Sequence, residues 1–315
     1  MYLVIDIGGT FIKHALMDTT GEISEKGKVP TPETSVKDRF LTDEGNHFAK
    51  KQLEKLVRTL FSIIDDYDVT ALKGIAMSSP GTIDVESGVI YGGGSLPFLH
   101  QKNLAKMIND QYGIEVAIEN DAKCAALAEL WLGSVKDVAD SAVLVLGTGV
   151  GGGIIINKKL HRGVNLSAGE LSYVMNEVNP VTREAHFVGL EGSAVEMVRK
   201  IAKVKQLADH TDGIAVFEYI NNQDKEALEI FNAYCTQIAA LALNIQYILD
   251  PEKIAIGGGI SAQPILIERI QSAVNEIIHK NPLHILEPNI VPCHFQSDAN
   301  LYGALYHFLT AKKNK

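Results

Sequence analysis

Three glycine turns and one acidic triplet hold the residues able to do chemistry in this 315-residue chain. Asp6-Ile7-Gly8-Gly9-Thr10 follows the apolar run Tyr2-Leu3-Val4-Ile5, and Gly147-Thr148-Gly149 follows Ala142-Val143-Leu144-Val145-Leu146. Gly257-Gly258-Gly259 closes a third apolar run at residues 253–256. A phosphate needs N–H donors at close range, and glycine brings the backbone near with no Cβ in the way. Thr10 adds a hydroxyl donor, and Asp6 a carboxylate able to hold magnesium through water. Either of the first two turns alone is equally well a plain hairpin tip. Together the three give cradles for a β-phosphate, a γ-phosphate and an adenosine.

The triplet Glu119-Asn120-Asp121 sits between the strand-like Val116-Ala117-Ile118 and a helical run at residues 122–131. Asp121 is therefore at a helix N-terminus, where the dipole favours negative charge. From position alone, a plain N-cap is the simpler reading of Asn120 or Asp121. Context changes the balance. Phosphoryl transfer is mainly positioning and charge stabilisation, with an Asp receiving the proton of the attacking hydroxyl. Ligands of α/β proteins also gather at the carboxyl ends of strands. Asp121 is the candidate base, and Asn120 a candidate sugar-hydroxyl ligand. Glu170, in Ser167-Ala168-Gly169-Glu170-Leu171, reads by default as a solvated loop acid.

The elements that must position these groups follow from the pattern. The spacing predicts strand, glycine turn, strand over residues 2–17, with residues 18–21 a turn. Residues 31–46 are polar and loop-like, 48–65 have helical spacing, and 72–77 form a buried strand running into Ser78-Ser79-Pro80-Gly81. A second strand–turn–strand unit spans 142–157, its turn placed at 147–152 and its return strand at 153–157. A long helix is expected over 225–249. Two α/β lobes sharing a cleft follow. The first covers 1–118, completed by the C-terminal helix 301–315; the second, 119–300, carries Asp121 and the later turns. Lys13 reads as an exposed strand residue.

Composition sets outer limits. The hydrophobic fraction is 46% and the charged fraction 21%, those of a folded globular chain. A net charge of −9 argues against a nucleic-acid surface, which needs clustered Lys and Arg. Cys124, Cys235 and Cys293 are too far apart in sequence for a disulfide framework or a zinc ribbon. No signal peptide and no bilayer-length apolar run is visible, so a cytoplasmic protein without membrane partners is expected. A dinucleotide site fails because the first glycine turn leads into a strand rather than a helix. No P-loop pattern occurs at these turns.

Taken in order, the motifs resemble the ROK family of sugar kinases and repressors. The matching pieces are Asp6-Ile7-Gly8-Gly9-Thr10, Ser79-Pro80-Gly81, Glu119-Asn120-Asp121-Ala122, Leu146-Gly147-Thr148-Gly149-Val150-Gly151-Gly152-Gly153, Ala168-Gly169-Glu170 and Ile256-Gly257-Gly258-Gly259-Ile260. The resemblance implies the two-lobe actin-like ATPase fold of the hexokinases (ribonuclease H-like), ATP and magnesium as cofactors, and Asp121 as catalytic base. It implies ATP contacts from Asp6, Gly8, Gly9, Thr10, Gly147, Thr148, Gly149, Gly257, Gly258 and Gly259, and sugar contacts from Gly81, Asn120, Asp121 and Glu170. A homodimer is an expectation of the resemblance alone.

Two departures matter. Many ROK kinases carry a glycine-histidine pair after A-G-E and then a cysteine-rich zinc motif. Here Ser172-Tyr173 stands at the pair, and the later segment His186-Phe187-Val188-Gly189-Leu190-Glu191 has no cysteine. No structural zinc is expected. Tyr173 offers an aromatic face to a larger aglycone, as in the bacterial β-glucoside kinases, which phosphorylate the 6-hydroxyl of cellobiose-like sugars. Tyr173 and Glu191 join the substrate candidates. Glucokinase, fructokinase and N-acetylmannosamine kinase stay open, as does a sugar sensor without catalysis. A repressor is disfavoured, because Asp6 leaves no room for a preceding DNA-reading element.

Overall fold

The computed structural model describes residues 1–32, 43–283 and 286–311. The chain divides into two compact units: residues 1–128 with the C-terminal segment from Asp298, and Glu129–Ser297.

Unit 1 is built on a five-stranded sheet ordered β3-β2-β1-β4-β7. β1 (Tyr2–Ile7), β2 (Phe11–Met17) and β3 (Ile23–Pro30) form an antiparallel meander, and β4 (Ile75–Ser79) and β7 (Val116–Asn120) extend it in parallel. All six β1 residues are buried, Asp6 among them, and the apolar run at residues 2–5 suits a strand covered on both faces. Their two-residue period sorts them. Leu3, Ile5 and Ile7 share a core with Leu56, Leu60 and Ile64 of α1 (Asp43–Asp65). On the other face Tyr2 meets Phe308 edge-on at 5.4 Å, and Asp6 bonds to Asn300, both from α9 (Ala299–Ala311). A small hairpin, β5 (Thr82–Asp84) and β6 (Val89–Tyr91), and α2 (Leu104–Tyr112) lie between β4 and β7 in sequence. α3 (Asp121–Trp131) packs so tightly on α9 that Gly303 lies directly against the Cys124 carbonyl.

Unit 2 repeats the plan: its sheet runs β10-β9-β8-β13-β14. β8 (Ser141–Leu146), β9 (Val150–Ile156) and β10 (Lys159–His161) are the meander, and β13 (Lys253–Gly258) and β14 (Ile290–Pro292) the parallel pair. A hairpin, β11 (Met175–Val178) and β12 (Ala185–Phe187), leads into the short α4 (Val188–Glu191). Four longer helices follow: α5 (Ala194–Val204), α6 (Gly213–Asn221), α7 (Lys225–Leu249) and α8 (Pro264–Lys280). The buried stripe of α7, from Ala227 through Phe231, Ile238 and Ala242 to Ile245, shares this core with Leu144 and Ile256. Asp224 caps its start by accepting from the Ala227 N–H, and Asp250 ends it in the left-handed conformation.

Four expectations meet a different outcome. The division falls after Ala128 rather than after residue 118, and resumes at Asp298 rather than 301. Asp121 therefore belongs to unit 1, because α3 is held by α9 and continues directly from β7. The turn after β8 is shorter than expected, since Gly151, Gly152 and Gly153 pair in register with Val145, Leu144 and Val143. β4 begins at Ile75, after a 3-10 turn at Val69–Ala71. Of the stretch read as a polar loop, residues 33–42 lie outside the described residues, as do 312–315 of the expected C-terminal helix; Asp43 onward is helical. Among the described residues, no helix is long and apolar enough to cross a membrane.

Candidate functional site

In unit 1 the candidate residues converge at the carboxyl ends of three adjacent parallel strands. Register pairs Asp6 of β1 with Ser78 of β4, and Ser79 of β4 with Asn120 of β7. Asp6 is 4% exposed, and its Oδ1 accepts from Ser78 Oγ at 2.9 Å and Asn300 Nδ2 at 3.0 Å. Burial raises its pKa, opposed by those two bonds and by the Lys13 ammonium, 4.0 Å from Oδ2. Lys13 thus sits beside a candidate ligand and is not merely a solvated strand residue. The Gly8 N–H is committed to the Phe11 carbonyl at 3.0 Å, closing the hairpin, and Gly9 and Thr10 stand exposed at its tip.

Asn120 makes the cap bond of α3, and its amide also joins Gly81 and Asp121. Asn120 Oδ1 accepts from the Lys123 N–H at 3.0 Å, which is the N-cap bond of α3. Its Nδ2 donates to the Gly81 carbonyl at 2.9 Å and to Asp121 Oδ1 at 3.0 Å. The Ala122 N–H adds a second donor to that same Oδ1 at 2.8 Å. Gly81, Asn120 and Asp121 are therefore one bonded group. Beneath it, the fully buried Glu119 accepts the Asn120 N–H at 2.8 Å.

In unit 2 the second and third glycine turns leave neighbouring strands at the same end, since β8 and β13 pair in parallel as far as Leu146 and Gly258. Gly147 and Gly259 line one cavity of about 550 Å³. Its remaining wall was not legible as a site: Val195 and Val198 of α5, Asp209, Thr211 and Asp212 of the following loop, Phe217 of α6, and Gln263 before α8. Asp212 did carry a signal, since an Asp-Gly pair opening an apolar run marks a helix start, and its side chain caps α6 through the Ala215 N–H at 3.0 Å. Gly257 packs against Cys293 instead, and Gly258 turns the chain with φ of +102° directly against the Leu146 backbone.

The sugar candidates of unit 2 lie apart from that cavity. Ser172, at the position of the missing glycine-histidine pair, braces the second turn: its hydroxyl accepts from the Val150 N–H at 3.0 Å and donates to the Val150 carbonyl at 3.2 Å. Glu170 precedes the 3-10 turn Leu171–Tyr173, and Tyr173 is 75% exposed. Glu191 Oε2 accepts from Asn176 Nδ2 at 2.8 Å, and Oε1 lies 2.9 Å from His186 Nδ1. Asn176 also donates to Gln237 of α7 at 3.1 Å. The Asn176 bond, the largest influence, lowers the Glu191 pKa; burial opposes it, and the His186 bond and charge add to the lowering. Among the described residues no three His, Cys, Asp or Glu side chains are grouped to hold a metal ion.

The ROK family model matches residues 2–311. The chain belongs to the ROK family. It is 31% identical to the β-glucoside kinase of Listeria innocua over 96% of both chains. It is 30% identical to the glucokinase of Halalkalibacterium halodurans over 82% of this chain and 80% of that one. A ROK family protein from Streptococcus pneumoniae, solved in complex with sucrose, superposes with a TM-score of 0.81 at 32% identity, covering 100% of this chain and 99% of the other. These likenesses make the architecture the actin-like ATPase fold, with both five-stranded sheets in place.

Proposed function

We propose that this ROK sugar kinase transfers the γ-phosphate of ATP to the 6-hydroxyl of a β-glucoside such as cellobiose. The observation that carries the phosphoryl-transfer chemistry is the bonded group of Gly81, Asn120 and Asp121 at the ends of β4 and β7. Asn120 orients the Asp121 carboxylate through Oδ1, so the base is fixed before sugar arrives. The sugar hydroxyl oxygen attacks the γ-phosphorus, Asp121 takes the hydroxyl proton, and the bond from the γ-phosphorus to the bridging oxygen breaks to release ADP. Gly9 and Thr10 from the first turn, and Thr148 and Gly149 from the second, donate to the phosphates, while the Gly147 N–H closes the second turn on the Gly149 carbonyl at 3.0 Å. The adenosine occupies the cavity beside Gly147 and Gly259, whose apolar wall of Val198 and Phe217 suits a base and whose Asp209, Thr211 and Asp212 suit its polar edges.

Asp6 fits a magnesium ion carried by the nucleotide: a single buried carboxylate at a strand end suits an outer ligand acting through water, not a protein-built cage. Such an ion supplies neutralisation of phosphate charge. Glu170 and Glu191 are assigned to sugar hydroxyls, and the exposed Tyr173 ring to the aglycone. Relatives named β-glucoside kinases support the larger substrate, and a relative named glucokinase marks the alternative.

The test is ADP release with magnesium-ATP over glucose, fructose, mannose, N-acetylmannosamine, N-acetylglucosamine, cellobiose and gentiobiose. Faster turnover of the β-linked disaccharides than of the free hexoses is expected. Preference for a monosaccharide would keep the kinase and discard the β-glucoside.

A further inference from the structure

A loop at residues 91–101 touches two of the candidate sites of unit 1. Its base is closed by the Ile90 N–H on the Lys102 carbonyl at 2.9 Å and the Gln101 N–H on the Ile90 carbonyl at 2.7 Å. Leu96, Phe98 and Leu99 bury its second half in the core. Its first half is Gly92-Gly93-Gly94, with φ of +73°, +72° and +55°. Three glycines bring no side chain to hold that shape, and they have the most backbone freedom to lose.

The run is held at its start by a histidine outside every motif: the Gly92 N–H donates to His100 Nδ1 at 2.9 Å. Nδ1 can accept only in the neutral ring whose hydrogen is on Nε2. The held segment lies where sugar and phosphate candidates come together. A Cβ on Gly81 would stand 2.9 Å from Gly93 Cα, and one on Gly9 would stand 3.3 Å from Ser95 Oγ. The Gly81 carbonyl is also the acceptor that orients Asn120.

We propose that His100 is a positioning residue for the sugar, its Nδ1 fixing the conformation of the glycine run and so the surface beside Gly81. This rests on the reading of Gly81 and Asn120 as sugar ligands. In this role His100 acts through the Gly92 N–H rather than on the sugar itself. It holds the loop's shape together with the Gly93 N–H on the Tyr91 carbonyl at 2.8 Å and the Leu96 N–H on the Gly93 carbonyl at 2.9 Å, and its loss is felt when sugar binds.

The experiment is steady-state kinetics of the whole protein with H100L, H100N and N120A, on the best sugar of the panel above. The Oδ1 of asparagine can replace Nδ1 as acceptor; leucine fills similar space without one. H100L should raise the sugar KM about three- to tenfold, the worth of one hydrogen bond, with kcat within about twofold, and H100N should recover most of the loss. A native KM in H100L, or an H100N as impaired as H100L, overturns the inference. If H100L does not fold, hydrogen exchange of the Gly92 amide decides. Protection in the native protein and in H100N supports the proposal, and free-peptide exchange in the native protein overturns it. An unmoved sugar KM in N120A removes the parent reading and this inference with it. A raised KM in N120A beside a native KM in H100L removes the inference alone.

Discussion

The side chains of Asn120 and Asp121 are bonded to each other, Nδ2 to Oδ1 at 3.0 Å, although they are sequence neighbours at a helix start. Such neighbours usually point apart. Here the cap geometry of Asn120 turns its amide back over Asp121, so the structure that begins α3 also aims the carboxylate. Replacing Asp121 with Asn should cut turnover by about 10²- to 10⁴-fold, the range for a lost general base, and leave sugar binding in place. Coupled ADP-release assays and calorimetric sugar titration check the two halves. Wild-type turnover in the variant would remove Asp121 from the mechanism.

Asp6 predicts a separation of stability from activity. Burial raises its pKa above the usual 3.8, so the folded state holds the proton more tightly than the unfolded chain. Its contribution to stability is present below that value and is lost as pH rises through the folded pKa. Asp6→Asn should therefore melt at or above the wild-type temperature at neutral pH while turnover with magnesium-ATP falls. A clear drop in melting temperature at pH 7 would contradict this.

The third glycine turn offers a paired comparison. A Cβ at Gly258 meets the Leu146 backbone, in a φ region costing about 1–2 kcal/mol for other residues, whereas a Cβ at Gly259 meets nothing within 4 Å. Gly258→Ala should destabilise unit 2. Gly259→Ala should fold normally and raise the KM for ATP, because Gly259 lines the cavity. Thermal melts and ATP kinetics on the two variants separate these outcomes.

Glu191 is held by Asn176 and His186, which bind its two oxygens and brace β11 and β12 against α4. Its folded pKa lies below the usual 4.5, so this bracing is present above 4.5 and lost as pH falls through the lower folded value. His186→Ala should raise the pH at which the hairpin loosens, read as faster amide exchange over residues 175–187. Identical exchange profiles in both proteins would count against the brace.

Much of this was legible because strand ends and glycine turns are local features. The turns at Gly8, Gly147 and Gly257 could be found by asking where an apolar run stops, and Asp121 by asking which acid follows a strand and starts a helix. The cavity wall was not legible, since Val198, Asp212, Phe217 and Gln263 come from separate helices and loops whose local patterns signal only packing and capping. His100 was silent for a like reason: its partner is a backbone N–H eight residues earlier, and no side-chain pattern records such a bond. The unit boundary was misplaced because a strand end looks like a border, while the contact of Gly303 with Cys124 that carries α3 into unit 1 spans most of the chain.

That contact is also the basis of a stability prediction. Gly303→Ala forces α9 off the Cys124 carbonyl, with no flexible side chain to yield, and should cost about 3 kcal/mol. Denaturant unfolding measures it.

The placement of α9 has a consequence for the order in which the protein is made. Unit 2 is a continuous stretch of chain and has all of its strands and helices once Ser297 leaves the ribosome. Unit 1, translated first, lacks until the end the helix that shields Tyr2 and gives Asp6 its Asn300 partner. Domains usually mature in the order of synthesis. Here the first unit gains its contacts of Tyr2 with Phe308 and of Asp6 with Asn300 only after the whole of the second unit has been made.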